Sequence, residues 1–233
     1  MGKNINTVIF DLDGTLINSE PAALGATIEA LSRFGVSASD TEVREQFGGG
    51  SRKIMQYFLD RDLDPLEANR VIDEATDLKV SLQVSFTERV ALLPNAKKML
   101  QELKDNGFRL ALATMAARDV VDKVTKYHGI DEYFDHVLTA NDVVRVKPDP
   151  EVLTKTVELF GGQVNSSLYI GDSTHDLEAA VSLAMPFLLV DSGIFVRGET
   201  RTQLRISAEE NGYPIVDREG LLDICEIAKN HHF

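Results

Sequence analysis

Val8-Ile9-Phe10-Asp11-Leu12-Asp13-Gly14-Thr15-Leu16 decides how the chain is read. Its apolar start is continuous rather than alternating, the pattern of a parallel strand buried on both faces. The run stops abruptly in two carboxylates, a glycine and a hydroxyl. In open α/β sheets, ligands gather in the crevice beyond the carboxyl ends of the strands, and Asp11 and Asp13 fall there. Two carboxylates so close to a sheet core repel each other and lose hydration, so without a partner at least one takes up a proton. A divalent cation removes the conflict. Mg²⁺ prefers hard oxygen ligands and is commonly held by one or two carboxylates plus substrate phosphate. Alone, the stretch also fits a strand followed by an Asx turn, D-L-D-G, with no chemistry attached. The rest of the chain separates the two readings.

At 233 residues and 43% hydrophobic composition, the chain is long enough for one large domain or a domain with an insert. No apolar run approaches the ~20 residues that span a bilayer, and the start, Met1-Gly2-Lys3-Asn4, leads directly into a strand without an export signal. Asn6 occupies the position where an N-myristoylation motif beginning at Gly2 requires Ser or Thr. The expectation is a cytoplasmic protein with no membrane partner. Cys225 is the single cysteine, which excludes an intrachain disulfide, and its amphipathic surroundings predict a helix packed on the core. His128, His136, His175, His231 and His232 show no zinc-like spacing with one another or with cysteine. The formal net charge of −13, without a basic stripe interleaved with aromatics, speaks against nucleic acid as a partner. A small anionic substrate would need a metal or a few placed cations.

After Thr15 the pattern is helical for roughly 70 residues, as in an insert. Helices are predicted over Pro21 to Gly35 and Asp40 to Gln46. A glycine loop follows, Phe47-Gly48-Gly49-Gly50-Ser51-Arg52-Lys53, with Ser51 expected to cap a helix from Arg52 to Leu59. Asp64-Pro65-Leu66-Glu67 predicts another helix start, with Glu67 closing a box, and the helix running to about Val80 or beyond. From Leu93 helix and strand alternate, the signature of right-handed βαβ units building a parallel sheet. The strands are expected at 108–114, 134–139, 167–172 and 187–190, with an edge strand at 213–216 and a last helix over 221–229. Intervening helices are expected at 94–105, 118–128, 150–160 and 177–183.

Three further polar groups end strands or follow them. Thr114 closes an apolar strand, and its hydroxyl and the amides after it, beginning with Met115, can donate to a phosphate oxygen. Lys147 sits in Val146-Lys147-Pro148-Asp149-Pro150, where two prolines fix a short loop that aims a point charge. Asp172 follows a strand as Asp11 does, and Asp176 lies one helical turn on. Each alone has a plainer reading: a strand-end threonine, a solvated lysine, and a helix cap with a first-turn acid. Their order along one sheet edge is what carries chemistry.

That order, D-x-D-G-T, then Thr, then Lys-Pro, then G-D-x-x-x-D, resembles the haloacid dehalogenase superfamily of phosphohydrolases, and within it the phosphoglycolate phosphatase-like branch. The resemblance covers essentially the whole chain. It implies an α/β fold, a Rossmann-like parallel sheet core from residues 1–16 and 90–233, with an inserted all-α helical cap over 17–89. It further implies a Mg²⁺-dependent phosphatase, monomer or homodimer, acting on a small phosphorylated metabolite, phosphoglycolate- or sugar-phosphate-like. Asp11 would be the nucleophile that forms an aspartyl-phosphate, and Asp13 the general acid and base. Thr114 and Lys147 would hold the transferring phosphoryl group, with Thr15 and Met115 also on the substrate side. Asp11, Asp13 and Asp172 would hold the metal, supported by Asp176. Arg52 or Lys53, on the cap loop, would meet the substrate's distal group.

Asp13 argues against the dehalogenases and phosphonatases of the superfamily, which lack an acid there, and so against Lys53 as a Schiff-base lysine. A β-phosphoglucomutase-like phosphoryl transfer is the alternative, but Ala23 stands where that mutase carries its cap histidine. Met115-Ala116-Ala117 replaces the Asn or Ser that often follows the second-motif threonine, and Asn18 replaces a frequent Asp, which leaves the substrate open. A receiver-like, non-hydrolytic phospho-acceptor is the competing class. Its motif order differs, and it needs only about half this length.

Overall fold

The computed structural model describes residues 5–230. Residues 1–4, on which the leader and myristoylation readings rest, lie outside the described residues, as do His231 and His232. The first strand, β1 (Thr7–Phe10), is buried along its whole length. A tight turn takes the chain into β2 (Ile17–Asn18) and four helices: α1 (Glu20–Arg33), α2 (Asp40–Glu45), α3 (Gly50–Asp62) and α4 (Pro65–Ser85). It returns through β3 (Ala91–Leu92). From there α5 (Ala96–Asp105), β4 (Arg109–Ala113), α6 (Arg118–His128), β5 (His136–Leu138), α7 (Glu151–Leu159) and β6 (Ser167–Gly171) follow. The chain closes with α8 (Thr174–Ser182), β7 (Phe187–Asp191), α9 (Gly198–Glu210), β8 (Ile215–Asp217) and α10 (Asp223–Asn230).

Six strands form one sheet in the order β5-β4-β1-β6-β7-β8, and every neighbouring pair is parallel. Because β1 is central, its side chains divide between two layers. Val8 and Phe10 join Leu110, Leu112 and residues of α5, α6 and α10, whereas Ile9 joins Tyr169, Phe187 and residues of α7, α8 and α9. Both faces are covered, which is why the sequence of β1 is apolar without alternation.

The four helices of the insert bury a cluster of their own, built around Leu31, Met55, Phe58, Leu59 and Ile72. The two crossings between this layer and the sheet are tied together by an antiparallel pair, Ile17 opposite Leu92 and Asn18 opposite Ala91.

Several local expectations are corrected. Helix α3 begins at Gly50, so Ser51 lies inside its first turn and caps nothing; its hydroxyl accepts a hydrogen bond from Lys79 instead. Asp64 caps α4 by accepting from the amides of Leu66 and Glu67, but Glu67 turns outward to Arg70 and closes no box. Helix α8 starts at Thr174, three residues before Leu177, because Ser173 and Asp176 form a reciprocal capping box. Helix α9 was not expected at all. It buries only Leu204 and Ala208, too few apolar positions to show a period. Among the described residues no helix is long and apolar enough to cross a membrane.

Candidate active site

The carboxyl ends of β1, β4 and β6 carry Asp11, Thr114 and Asp172 to one edge of the sheet. The Asp11 amide donates to Ile170 O at 2.8 Å and the Thr114 amide to Leu138 O at 3.0 Å, so both side chains start from fixed backbone. Gly14 is required by its surroundings. Its φ is +80°, and a Cβ there would stand 1.9 Å from Asp172 Oδ2. The loop bearing Asp13 can lie against Asp172 only because that position has no side chain.

Lys147 is the hub on the core side. Its Nζ donates to Asp11 Oδ1 (2.7 Å), Asp176 Oδ1 (2.7 Å) and Tyr169 Oη (2.8 Å), and it is 4% exposed. Burial alone would lower its pKa, but the charges of Asp11 and Asp176 more than offset that and hold it raised. Asp176 is saturated from all sides. Tyr169 donates to Oδ1, and Ser173 Oγ (2.6 Å) and the amides of Ser173 (3.1 Å) and Asp172 (3.3 Å) donate to Oδ2. Burial opposes its ionisation, yet Lys147 and these donors leave its pKa lowered. Asp172 has no such support. Burial first, then Asp176 and Asp11, raises its pKa well above the carboxylate range. Burial likewise pushes Asp11 up to about 7 despite Lys147.

Asp11, Asp172 and Asp176 each bring a carboxylate oxygen within 4.8 Å of the others, all buried. Two of the three have raised pKa values. Asp11 and Asp172, hard, anionic and without the donors that saturate Asp176, fit a divalent cation. Asp13 stands apart from these three. Its carboxylate accepts from Ser19 Oγ, and burial raises its pKa against that hydrogen bond.

A cavity of about 640 Å³ lies between these groups and the helical insert. The core contributes Asp11, Asp13, Thr114, Met115, Lys147 and Asp172, and the insert contributes Arg44, Ser51, Ile54, Lys79 and Gln83. The insert closes down on the core. Phe47 meets Phe195 edge to face at 5.2 Å, and Gly50 faces the Met115 carbonyl with 3.3 Å to a notional Cβ.

A family model for haloacid dehalogenase-like hydrolases matches residues 8–190, a span that includes the insert and all four motifs. The chain belongs to that family. A pyrophosphatase of Bacillus mycoides, PpaX, is 32% identical over 173 residues, covering 74% of this chain and 77% of that protein. Among solved structures, CbbY from Rhodobacter sphaeroides in complex with phosphate is 25% identical, with a TM-score of 0.75 over 84% of this chain and 89% of that one. A predicted phosphoglycolate phosphatase from Haemophilus somnus shares the fold, with a TM-score of 0.79 and 24% identity over 95% of this chain and 98% of that one.

In this haloacid dehalogenase-like hydrolase, Asp11, Asp13, Thr114, Met115, Lys147, Asp172 and Asp176 all line the cavity. Three sequence-predicted residues do not. Thr15 is buried with a hydroxyl that has no hydrogen-bond partner. Arg52 is exposed and pairs with Asp73 on α4, because its position in α3 points it away from the core. Lys53, one residue on, is also exposed and folds its stem over Gly49. Lys79, Gln83 and Tyr169 were missed. Tyr169 reads as strand filler. Lys79 and Gln83 had a visible signal, since they continue the inward stripe Ala68, Ile72, Ala75 at steps of three and four.

Proposed function

We propose that the protein is a cytoplasmic, Mg²⁺-dependent phosphatase of small phosphomonoesters that works through an aspartyl-phosphate on Asp11. The observation that carries this is the division of labour between the two acids of one motif. Asp11 is held at 2.7 Å by the Lys147 ammonium, whereas the Asp13 carboxylate accepts from the Ser19 hydroxyl and, among the described residues, has no cation within 4.0 Å. One is suited to attack as a carboxylate and the other to hold a proton.

An oxygen of Asp11 attacks phosphorus, the ester P–O bond breaks, and Asp13 gives its proton to the leaving oxygen. Water then attacks the aspartyl-phosphate, Asp13 takes its proton, and phosphate leaves with the Asp11 carboxylate restored. Thr114 and the Met115 amide hold the phosphoryl oxygens, and Lys147, its three donors engaged by Asp11, Asp176 and Tyr169, adds positive charge beside them. Mg²⁺, held by Asp11, Asp172 and the Asp13 backbone carbonyl, would supply the charge that keeps the buried carboxylates ionised and screens them from the substrate. Asp176, its oxygens already engaged, orients Lys147 rather than serving as a free ligand. Residues 17–89 act as the mobile cap. Phosphoryl transfer to a second sugar position is less well supported, since Ala23 lines the cavity where a transferring mutase carries histidine.

The test is phosphate release from a panel of small phosphomonoesters, with Mg²⁺ and with chelator, beside Asp11→Asn. We expect release to need the metal and to fall at least about 10³-fold in the variant. Normal turnover by Asp11→Asn would overturn the assignment, and stable phosphorylation of Asp11 without turnover would favour a phospho-acceptor instead.

A further inference from the structure

Four Lys or Arg side chains line the cavity: Arg44, Lys79, Lys147 and Arg197. Three are paired with carboxylates within 2.8 Å, Arg44 and Arg197 sharing Glu20 and Lys147 lying between Asp11 and Asp176. Lys79 is the exception. It is 4% exposed, and among the described residues no carboxylate lies within 4.0 Å of its Nζ. What it has is two neutral acceptors, Ser51 Oγ at 2.8 Å and Gln83 Oε1 at 2.6 Å, both of which also line the cavity. An ammonium carries three donors, so one is left for a ligand. A buried cation that is fixed but not neutralised is a poor structural element and a good anion receptor.

Its position relative to the chemistry follows from Asp13. Asp13 lines the cavity from the core, and Lys79, with Ser51 and Gln83, lines it from the insert. If Asp13 protonates the leaving oxygen, the leaving group lies between Asp13 and Lys79.

We propose that Lys79, held by Ser51 and Gln83, binds an anionic group on the leaving alcohol, so that the enzyme selects short phosphomonoesters bearing a carboxylate or second phosphate. This rests on the phosphatase reading above, and it makes Lys79, rather than Arg52 or Lys53 of the cap loop, the residue that reads the substrate. The cavity of about 640 Å³ restricts the partner to a small molecule.

The test compares two esters of equal length on the full chain with Mg²⁺: glycolate 2-phosphate, with its carboxylate, and ethyl phosphate, without it. The wild type is expected to favour the carboxylate ester by about 10²-fold in kcat/KM. In Lys79→Met the ratio should fall to within about threefold of unity, mainly through KM for the anionic ester, with Lys79→Arg recovering part of it. Gln83→Leu, which leaves the lysine in place but unheld, should lower the ratio in the same direction and covers the case in which Lys79→Met does not fold. A wild type that hydrolyses both esters without preference overturns the proposal and leaves the phosphatase reading standing. So does a Lys79→Met variant that slows both equally. Absence of turnover on every phosphomonoester overturns the phosphatase reading, and this proposal with it.

Discussion

Lys147 and Lys79 are the same residue type at the same burial, 4% exposed, on opposite walls of one cavity, and their surroundings are opposite. Lys147 is surrounded by two carboxylates and a tyrosine hydroxyl, and its pKa is raised because those charges outweigh desolvation. Lys79 has a hydroxyl and an amide oxygen, and burial pulls its pKa down to about 8 against the weak pull of Asp13. The first lysine is already satisfied by the protein, so its charge serves to position Asp11. The second is kept short of a counter-charge by the same fold, at a cost in stability, which is the condition a ligand can relieve. Both arrangements are products of local backbone. Lys147 comes from a short loop fixed by the two prolines that follow it, Pro148 and Pro150, whereas Lys79 comes from the inward stripe of α4, a place where an apolar residue would pack.

The contrast breaks most visibly if Lys147 is removed. Lys147→Met leaves Asp11 and Asp176 buried without their cation, and losing one partner of a buried ion pair costs about 3–5 kcal/mol. We expect urea unfolding to report a loss of that size, and kcat to fall at least about 10³-fold because Asp11 is no longer held or kept ionised. A stability unchanged from wild type would mean that Asp11 and Asp176 are not charged in the resting protein, and the pairing that distinguishes the two lysines would be lost.

The same substitution at Lys79 should act with the opposite sign on stability. Its folded pKa, about 8, lies below the ordinary 10.5. Below about pH 8 both folded and unfolded chains carry the proton, and the folded state bears the full desolvation penalty. Between about 8 and 10.5 the unfolded chain binds more protons, so wild-type stability rises with pH, and above that window the penalty is gone. Lys79→Met should therefore be more stable than wild type at pH 7, by about 1–3 kcal/mol, with the advantage shrinking toward pH 10. Urea unfolding of both proteins at the two pH values measures it. Equal destabilisation at both would show Lys79 to be a packing residue.

How far this could be read from sequence follows the same division. Asp11 after β1, Thr114 after β4 and Asp172 after β6 were legible because each sits at a strand end, where apolar sequence stops and a polar residue stands out. The order of the six strands was not, since parallel pairing is set by crossover helices whose sequences do not name their neighbours. On the cap side the loop glycines draw attention to Arg52 and Lys53, but the helix starts at Gly50, two residues earlier than a Ser51 cap predicts, and both side chains lie on its exposed face. The cavity cation was instead in a long helix, where a single Lys in an apolar stripe is easily taken for a snorkelling surface residue. Glu20 was overlooked for a similar reason: as the first residue of α1 it reads as a favourable dipole partner, and its second role needs Arg197, 177 positions away.

That second role gives the smallest expected effect. Glu20 lies just past the crossing from core to insert and accepts from Arg44 of α2 at 2.7 Å and from Arg197, ahead of α9, at 2.8 Å. One carboxylate thus ties the insert to the core beside the Phe47–Phe195 contact. Arg197 is half exposed, so solvent and salt screen the pair and its contribution to folding should stay below about 1 kcal/mol. Its effect on closure can be larger than its effect on folding, because open and closed states differ by only a few contacts. In Arg197→Ala we expect KM to rise about two- to fivefold with little change in kcat. The wild-type KM should also climb with ionic strength while the variant's stays flat. If the variant keeps the wild-type salt dependence, the ion pair does not hold the insert down. Closure would then rest on Phe47 against Phe195, leaving Lys79 to meet its anion through packing alone.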